Sequence, residues 1–158
     1  MKKTIICIIG FAALLIGCAG PTTQDYPQSM SFDVFVGGQN AGMPDLEDPE
    51  QGPREVVIQD QETLEEEWAF IHLGTDPVPQ MPEVDFSEQM ILGVYQGVQG
   101  TGGFSIVILD VLEYADRIEV FVQETIPGPD DMVTQALTHP YYFVSVDSSD
   151  KEVVFVRE

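Results

Sequence analysis

Strands are the main elements that the apolar pattern predicts, and most of them lie in the second half of the chain. Over 117–124, Ile118, Val120 and Val122 alternate with other residues, which predicts a strand that buries one face. Apolar or alternating runs predict four more strands in this half, at 90–95, 104–112, 141–146 and 152–156. A polar turn at 148–150 predicts that the last two strands form a hairpin.

Two shorter strands are predicted earlier in the chain. The first, at 31–36, is predicted to place three apolar residues on one face: Phe32, Val34 and Val36. A second strand is expected at 54–59. Between them, residues 41–53 contain three prolines and many acidic residues, a composition typical of a loop.

One helix interrupts this β pattern. Asp60 is a suitable N-cap, and Leu64, Trp68 and Ile71 follow with helical spacing over 61–72. Gly74 and a run of prolines then prevent the helix from continuing. The predicted fold class is therefore α+β, a mostly antiparallel β-sheet with one packed helix.

The first 17 residues have the pattern of a secretory signal peptide. Lys2 and Lys3 precede an uncharged apolar run at 5–16, which is shorter than the roughly 20 residues that span a bilayer. The run ends in Leu-Ile-Gly followed by Cys18, which resembles the lipobox of bacterial lipoproteins. This resemblance implies cleavage before Cys18 and attachment of diacylglycerol and palmitate to it. The alternative is an ordinary signal peptide followed by a cysteine by chance.

The resemblance also predicts the organisation and location of the protein. Ala19, rather than aspartate, follows the lipidated cysteine, which by analogy favours the outer membrane of the cell envelope. Residues 18–30 are polar, contain two prolines and predict a flexible tether. Residues 31–158 are long enough for a single domain with its own core.

Charge and cysteine content exclude several classes of function. The sequence has 27 acidic and 6 basic residues, a net charge of −21, which disfavours binding to nucleic acid. High negative charge keeps a secreted protein soluble, and the alternatives are a basic partner or weak calcium binding. Cys7 lies in the signal and Cys18 takes the lipid, so no thiol remains for a disulfide, a zinc site or a nucleophile.

The remaining residues indicate neither an enzyme nor a bound cofactor or metal. His72 follows the helix and is interpreted as a surface or capping residue, and His139 precedes a proline. No nucleophile motif marks a catalytic triad, and the carboxylates are spread along loops without the spacing of a calcium loop. A hydrolase with an unmarked site remains an alternative.

Two segments are candidates for binding. Residues 97–105 contain four glycines, which suits either a recognition loop or a tight connection between strands. They do not fit a nucleotide-binding loop, because no helix follows. Residues 127–142 combine prolines, a stretch short of charge and the sequence Thr-His-Pro-Tyr-Tyr. This segment suits either an exposed protein-binding surface or an edge segment packed on the helix.

These segments resemble two stretches of the PrcB family, and the resemblance extends loosely over residues 55–158. The first stretch is matched by Thr101, Gly102, Gly103, Phe104, Ser105 and Ile106, with phenylalanine where tyrosine is usual. The second is matched by Pro127, Gly128, Val133, Gln135, Thr138, Pro140 and Tyr141. The resemblance implies a non-catalytic lipoprotein subunit that associates with, and stabilises, a surface protease complex.

The leading hypothesis is a non-enzymatic lipoprotein that binds a secreted or surface protein, with a protease as the implied partner. Its predicted partner-binding residues are Thr101, Gly102, Gly103, Phe104, Thr138, His139, Pro140 and Tyr141. A second hypothesis is a protease inhibitor, because a Thr-Gly-Gly-aromatic loop beside a His-Pro-aromatic bend resembles the loops of chagasin-type inhibitors. A third is a structural lipoprotein of the envelope.

Overall fold

A computed structural model describes residues 25–42 and 52–157. Within these ranges the chain forms eight strands and one helix. In chain order they are β1 Gln28–Ser29, β2 Asp33–Gly38, β3 Arg54–Ile58, α1 Gln61–Ile71, β4 Gln89–Tyr95, β5 Ser105–Glu113, β6 Arg117–Thr125, β7 Tyr141–Asp147 and β8 Glu152–Arg157. No helix within the described ranges is long and apolar enough to cross a bilayer.

The strands divide into two sheets of four. One sheet has the order β1-β5-β6-β8 and the other has the order β2-β7-β4-β3. β6 and β8 run parallel, and the other strand pairs are antiparallel. The predicted fold class, α+β with mostly antiparallel strands and one packed helix, is confirmed.

The main core lies between the two sheets. Ile118, Val120 and Val122 of β6 are fully buried there, as their alternation predicts. They pack with Met90, Leu92 and Val94 of β4 and with apolar residues of β5 and β7. Apolar burial of this kind contributes roughly 25 cal/mol per Å² and is the main stabilising term of the fold.

The helix covers the other face of the second sheet. Asp60 accepts a hydrogen bond from the Thr63 amide (2.8 Å), as expected of the predicted N-cap. Leu64, Trp68 and Ile71 are buried against this sheet in a second apolar cluster. β4 therefore lies between two apolar layers, which explains why its sequence is an unbroken apolar run.

The predicted hairpin of the last two strands is wrong. β7 pairs with β2 and β4 in one sheet, whereas β8 pairs with β6 in the other. Residues 148–151 carry the chain between the sheets. The Ser148 amide is held by the Glu88 carbonyl (2.8 Å), and Lys151 Nζ donates to the Glu113 carboxylate (2.9 Å) and to the Tyr114 carbonyl (2.6 Å).

The start of the domain also differs from the prediction. Gln28–Ser29, placed in the tether by sequence, pairs with the end of β5, and Met30 packs into the core between the sheets. A register shift between Val34 and Val36 sends these residues to different environments, so Val34 is 59% exposed while Val36 packs near the helix. The predicted signal peptide and Cys18 lie outside the described residues.

Candidate partner-binding surface

The glycine-rich segment and the proline-rich segment are joined by backbone hydrogen bonds. Gln99 and Thr138 form a reciprocal pair, with N–H to O distances of 2.7 and 3.0 Å. The Thr138 hydroxyl donates to the Thr101 carbonyl (2.8 Å), and the Gly102 amide donates to the Thr134 carbonyl (3.0 Å). The two candidate binding segments predicted from sequence thus form one structural unit.

Glycine is required where these segments cross. Gly103 has φ +90°, a conformation that residues with a side chain rarely adopt. A Cβ atom there would lie 2.8 Å from Val133 Cγ1 and 3.1 Å from Pro127 Cβ. Gly102 is buried, and a Cβ atom on it would collide with the Thr134 side chain. The two glycines therefore permit close contact between the segments, so their predicted role in shaping the loop fits the geometry.

Large apolar side chains lie exposed on this unit. Ile126 is 70% exposed, Leu137 is 46% exposed and Met132 is fully exposed. We call residues 100–104 and 126–137 together the paired-loop surface. Thr101 and Phe104 are half-buried in it. Several large apolar side chains exposed on one loop unit are typical of interaction sites.

The second half of the predicted contact set is buried. Thr138, His139, Pro140 and Tyr141 all lie in the interior of this fold, and their contact with a partner stays a prediction. Tyr141 begins β7, which is paired on both sides and faces the helix. The alternative interpretation, a segment packed against the helix, describes His139 and Tyr141.

His139 is held as a neutral side chain beneath the helix. It is 1% exposed, and its Nδ1 lies 3.1 Å from the Gly42 carbonyl, which assigns the ring proton to Nδ1. The ring packs against Phe70 and Tyr95, with centroid distances of 6.0 and 5.4 Å. Burial lowers the pKa of His139, and the nearby Arg54 guanidinium lowers it further.

A partly buried ion pair near His139 was not predicted from sequence. Glu67 of the helix accepts two hydrogen bonds from Arg54 (2.6 and 2.9 Å) and one from the Tyr95 hydroxyl (2.6 Å). Burial and the Glu67 carboxylate raise the pKa of Tyr95, which keeps its hydroxyl protonated as a donor. The sequence carried no signal that Arg54 and Tyr95 would be the partners of Glu67.

The second histidine, His72, has a structural role. His72 is the C-cap of the helix, with Nδ1 3.0 Å from the Trp68 carbonyl, so the capping interpretation is confirmed. Within residues 25–42 and 52–157, no three metal-ligating side chains are grouped to hold an ion.

Comparison with known families identifies the segment that contains these loops. Residues 90–147 match the PrcB C-terminal family model. The resemblance to PrcB is confirmed over this range, which runs from β4 through β7 and includes the whole paired-loop surface. α1, β3 and β8 lie outside the match. Comparisons with curated proteins and with solved structures found no match.

Proposed function

We propose that this protein is a non-enzymatic lipoprotein, anchored through Cys18 in the outer membrane, that binds a secreted or surface protein. The paired-loop surface is the binding site, and binding stabilises the partner. A protease complex is the partner class that PrcB membership of residues 90–147 suggests.

The observation that carries the proposal is the arrangement of the paired-loop surface. Both PrcB-like stretches meet there, and they leave Ile126, Met132 and Leu137 exposed. The exposure of these three large apolar side chains does not stabilise the fold. It is consistent with a surface whose apolar area is buried in a complex, where a few such anchors carry most of the binding energy.

The inhibitor hypothesis receives less support from the same geometry. It needs two exposed loops side by side, a Thr-Gly-Gly-aromatic loop and a His-Pro-aromatic bend. His139 and Pro140 of the bend are buried, so only the first loop is available to insert into an active site.

The partner is tested by recovering complexes from native membranes. The full-length chain with a C-terminal affinity tag, extracted in mild detergent, is expected to retain one secreted or surface protein. If that protein is a protease, its activity during incubation is expected to persist longer with the chain than without it. Recovery of no defined protein contradicts the binding role, and loss of protease activity on addition of the chain supports the inhibitor instead.

The anchor is tested separately. Cys18→Ser is expected to abolish acylation and to release the protein from the membrane fraction, because each buried CH₂ of an acyl chain contributes about 0.8 kcal/mol. Fractionation and mass spectrometry of the N-terminal peptide provide the measurements. An unmodified Cys18 in the wild-type protein contradicts the lipoprotein assignment.

A further inference from the structure

An apolar groove lies beside the helix, outside the segment that matches PrcB. It is formed by the second half of α1 and the segment that follows, and its volume is about 420 Å³. The lining residues used below are Glu65, Trp68, His72, Leu73, Val78 and Met81. We call this feature the helix groove. Its volume is within the range of about 300–1,000 Å³ typical of ligand sites.

The helix groove offers apolar surface with few unmet polar groups. The Trp68 indole N–H already donates to the Pro79 carbonyl (3.0 Å), and the His72 ring stacks on Trp68 with centroids 4.3 Å apart. Leu73 and Val78, both lining residues, are 60% and 55% exposed. Large apolar side chains exposed together at one concave site are typical of binding grooves.

The charge around the helix groove is negative and uncompensated. Glu65 is its only charged lining residue, and the exposed residues Glu62, Glu66 and Asp76 lie on the same two segments. The four basic side chains of the described ranges each pair with carboxylates that do not line the groove: Arg54, Arg117, Lys151 and Arg157. An anionic ligand would be repelled, whereas a cationic one would be attracted.

We propose that the helix groove binds a polypeptide segment of a partner protein that places one large apolar side chain in the groove with lysine or arginine beside it. The apolar shape of the groove selects the inserted side chain, and the negative charge of Glu65 and of the neighbouring acids on the same segments selects the flanking charge. The site uses no residue of the paired-loop surface, so this proposal does not depend on the proposed function.

Trp68 provides a direct probe, because it is the only tryptophan in the sequence and it lines the groove. The probe ligand is a short peptide without tryptophan or tyrosine that has Phe-Leu flanked by arginines. Two matched peptides replace the arginines by glutamates or the Phe-Leu pair by Ser-Ser. We expect the first peptide alone to change Trp68 emission saturably, with an affinity that falls as salt is raised.

Variants of the full-length protein locate the site. Leu73→Ser is expected to weaken peptide binding by about tenfold, and Glu65→Gln by a smaller factor. Leu109→Ser is the control, since Leu109 is 49% exposed on β5 and does not line the groove. Absence of a saturable change, equal binding of the glutamate peptide, or equal loss with Leu109→Ser would overturn the proposal.

Discussion

Residues 126–141 are continuous in sequence, yet their two parts lie in opposite environments. Up to Leu137 the segment is mostly exposed and carries the exposed apolar side chains of the paired-loop surface. From Thr138 onward it is buried, with Tyr141 leading into the central pairing of β7. The two parts therefore have different roles. Substitutions at the exposed side chains of the first part should cost the fold little stability, whereas the buried contacts of the second part determine where the segment lies.

The buried part of the segment, residues 138–141, connects the helix to the sheet beneath it. His139 contacts Phe70 of the helix and the Gly42 carbonyl, and the Pro140 carbonyl accepts a hydrogen bond from the Gln96 amide. These contacts tie the loops to both the helix and β4. Variants of the buried part should therefore change stability, and variants of the exposed part should change binding.

The largest loss of stability is expected from Arg54→Ala, which leaves Glu67 buried without its cationic partner. Breaking such a pair costs about 3 kcal/mol, the low end for buried pairs, because Arg54 keeps some solvent exposure. Urea unfolding measures the change. A charge-neutral double variant, Arg54→Met with Glu67→Leu, should recover part of the loss, and no recovery would mean that the ion pair is not the cause.

Gly103→Val should destabilise the domain by roughly 2 kcal/mol, since valine meets both a positive φ and contact with Val133 and Pro127. Gly100→Val is the matched control in the same loop, because a Cβ atom at Gly100 meets nothing within 4 Å. Unfolding midpoints of the two variants give the comparison. Equal midpoints would show that the crossing of the two segments is not constrained at Gly103.

Acid should lower the stability of the domain through protonation of His139. Its pKa is lowered in the folded state, so the unfolded chain binds the proton more readily. The stability that neutral His139 provides is present above the ordinary histidine pKa of about 6.5 and is lost as pH falls below it. Carboxylates also titrate in acid, so the test compares wild type with His139→Gln between pH 7.5 and 5. We expect a shallower decline in the variant, and parallel profiles would exclude His139 as the source.

The smallest effect on stability is expected from Met132→Glu. Met132 is fully exposed, so the free energy of unfolding should stay within about 0.5 kcal/mol of wild type. A larger loss, measured by urea unfolding, would show that the exposed part of the segment also supports the fold.

Local patterns were sufficient for most of the elements. The helix and its cap follow from Asp60 and the spacing of Leu64, Trp68 and Ile71, and the inward face of β6 follows from alternation. Pairing was harder, because β8 lies parallel to β6 and this contact depends on a change of sheet that turn residues do not encode. The turn residues at 148–150 suggested a hairpin, but the strands on either side of them pair with strands that are distant in sequence.

Sequence likewise predicted only part of the geometry of the candidate site, because local patterns do not show which segments pack together. The glycines at 102 and 103 indicated a close approach, which the contacts with Thr134 and Val133 explain. The Thr-His-Pro-Tyr-Tyr sequence suited either an exposed surface or an edge segment packed on the helix, and composition alone did not distinguish them. The signal for burial was Tyr141, which opens the apolar alternation of β7 and draws the preceding residues inward.

The central claim is that the exposed part of this segment binds a protein partner. The most direct test compares Met132→Glu with Val34→Glu, a change at another exposed apolar residue, on β2. Both full-length variants are used to recover the partner from native membranes. We expect Met132→Glu to reduce recovery by at least about tenfold and Val34→Glu to match wild type. Equal recovery with the two variants would contradict this claim.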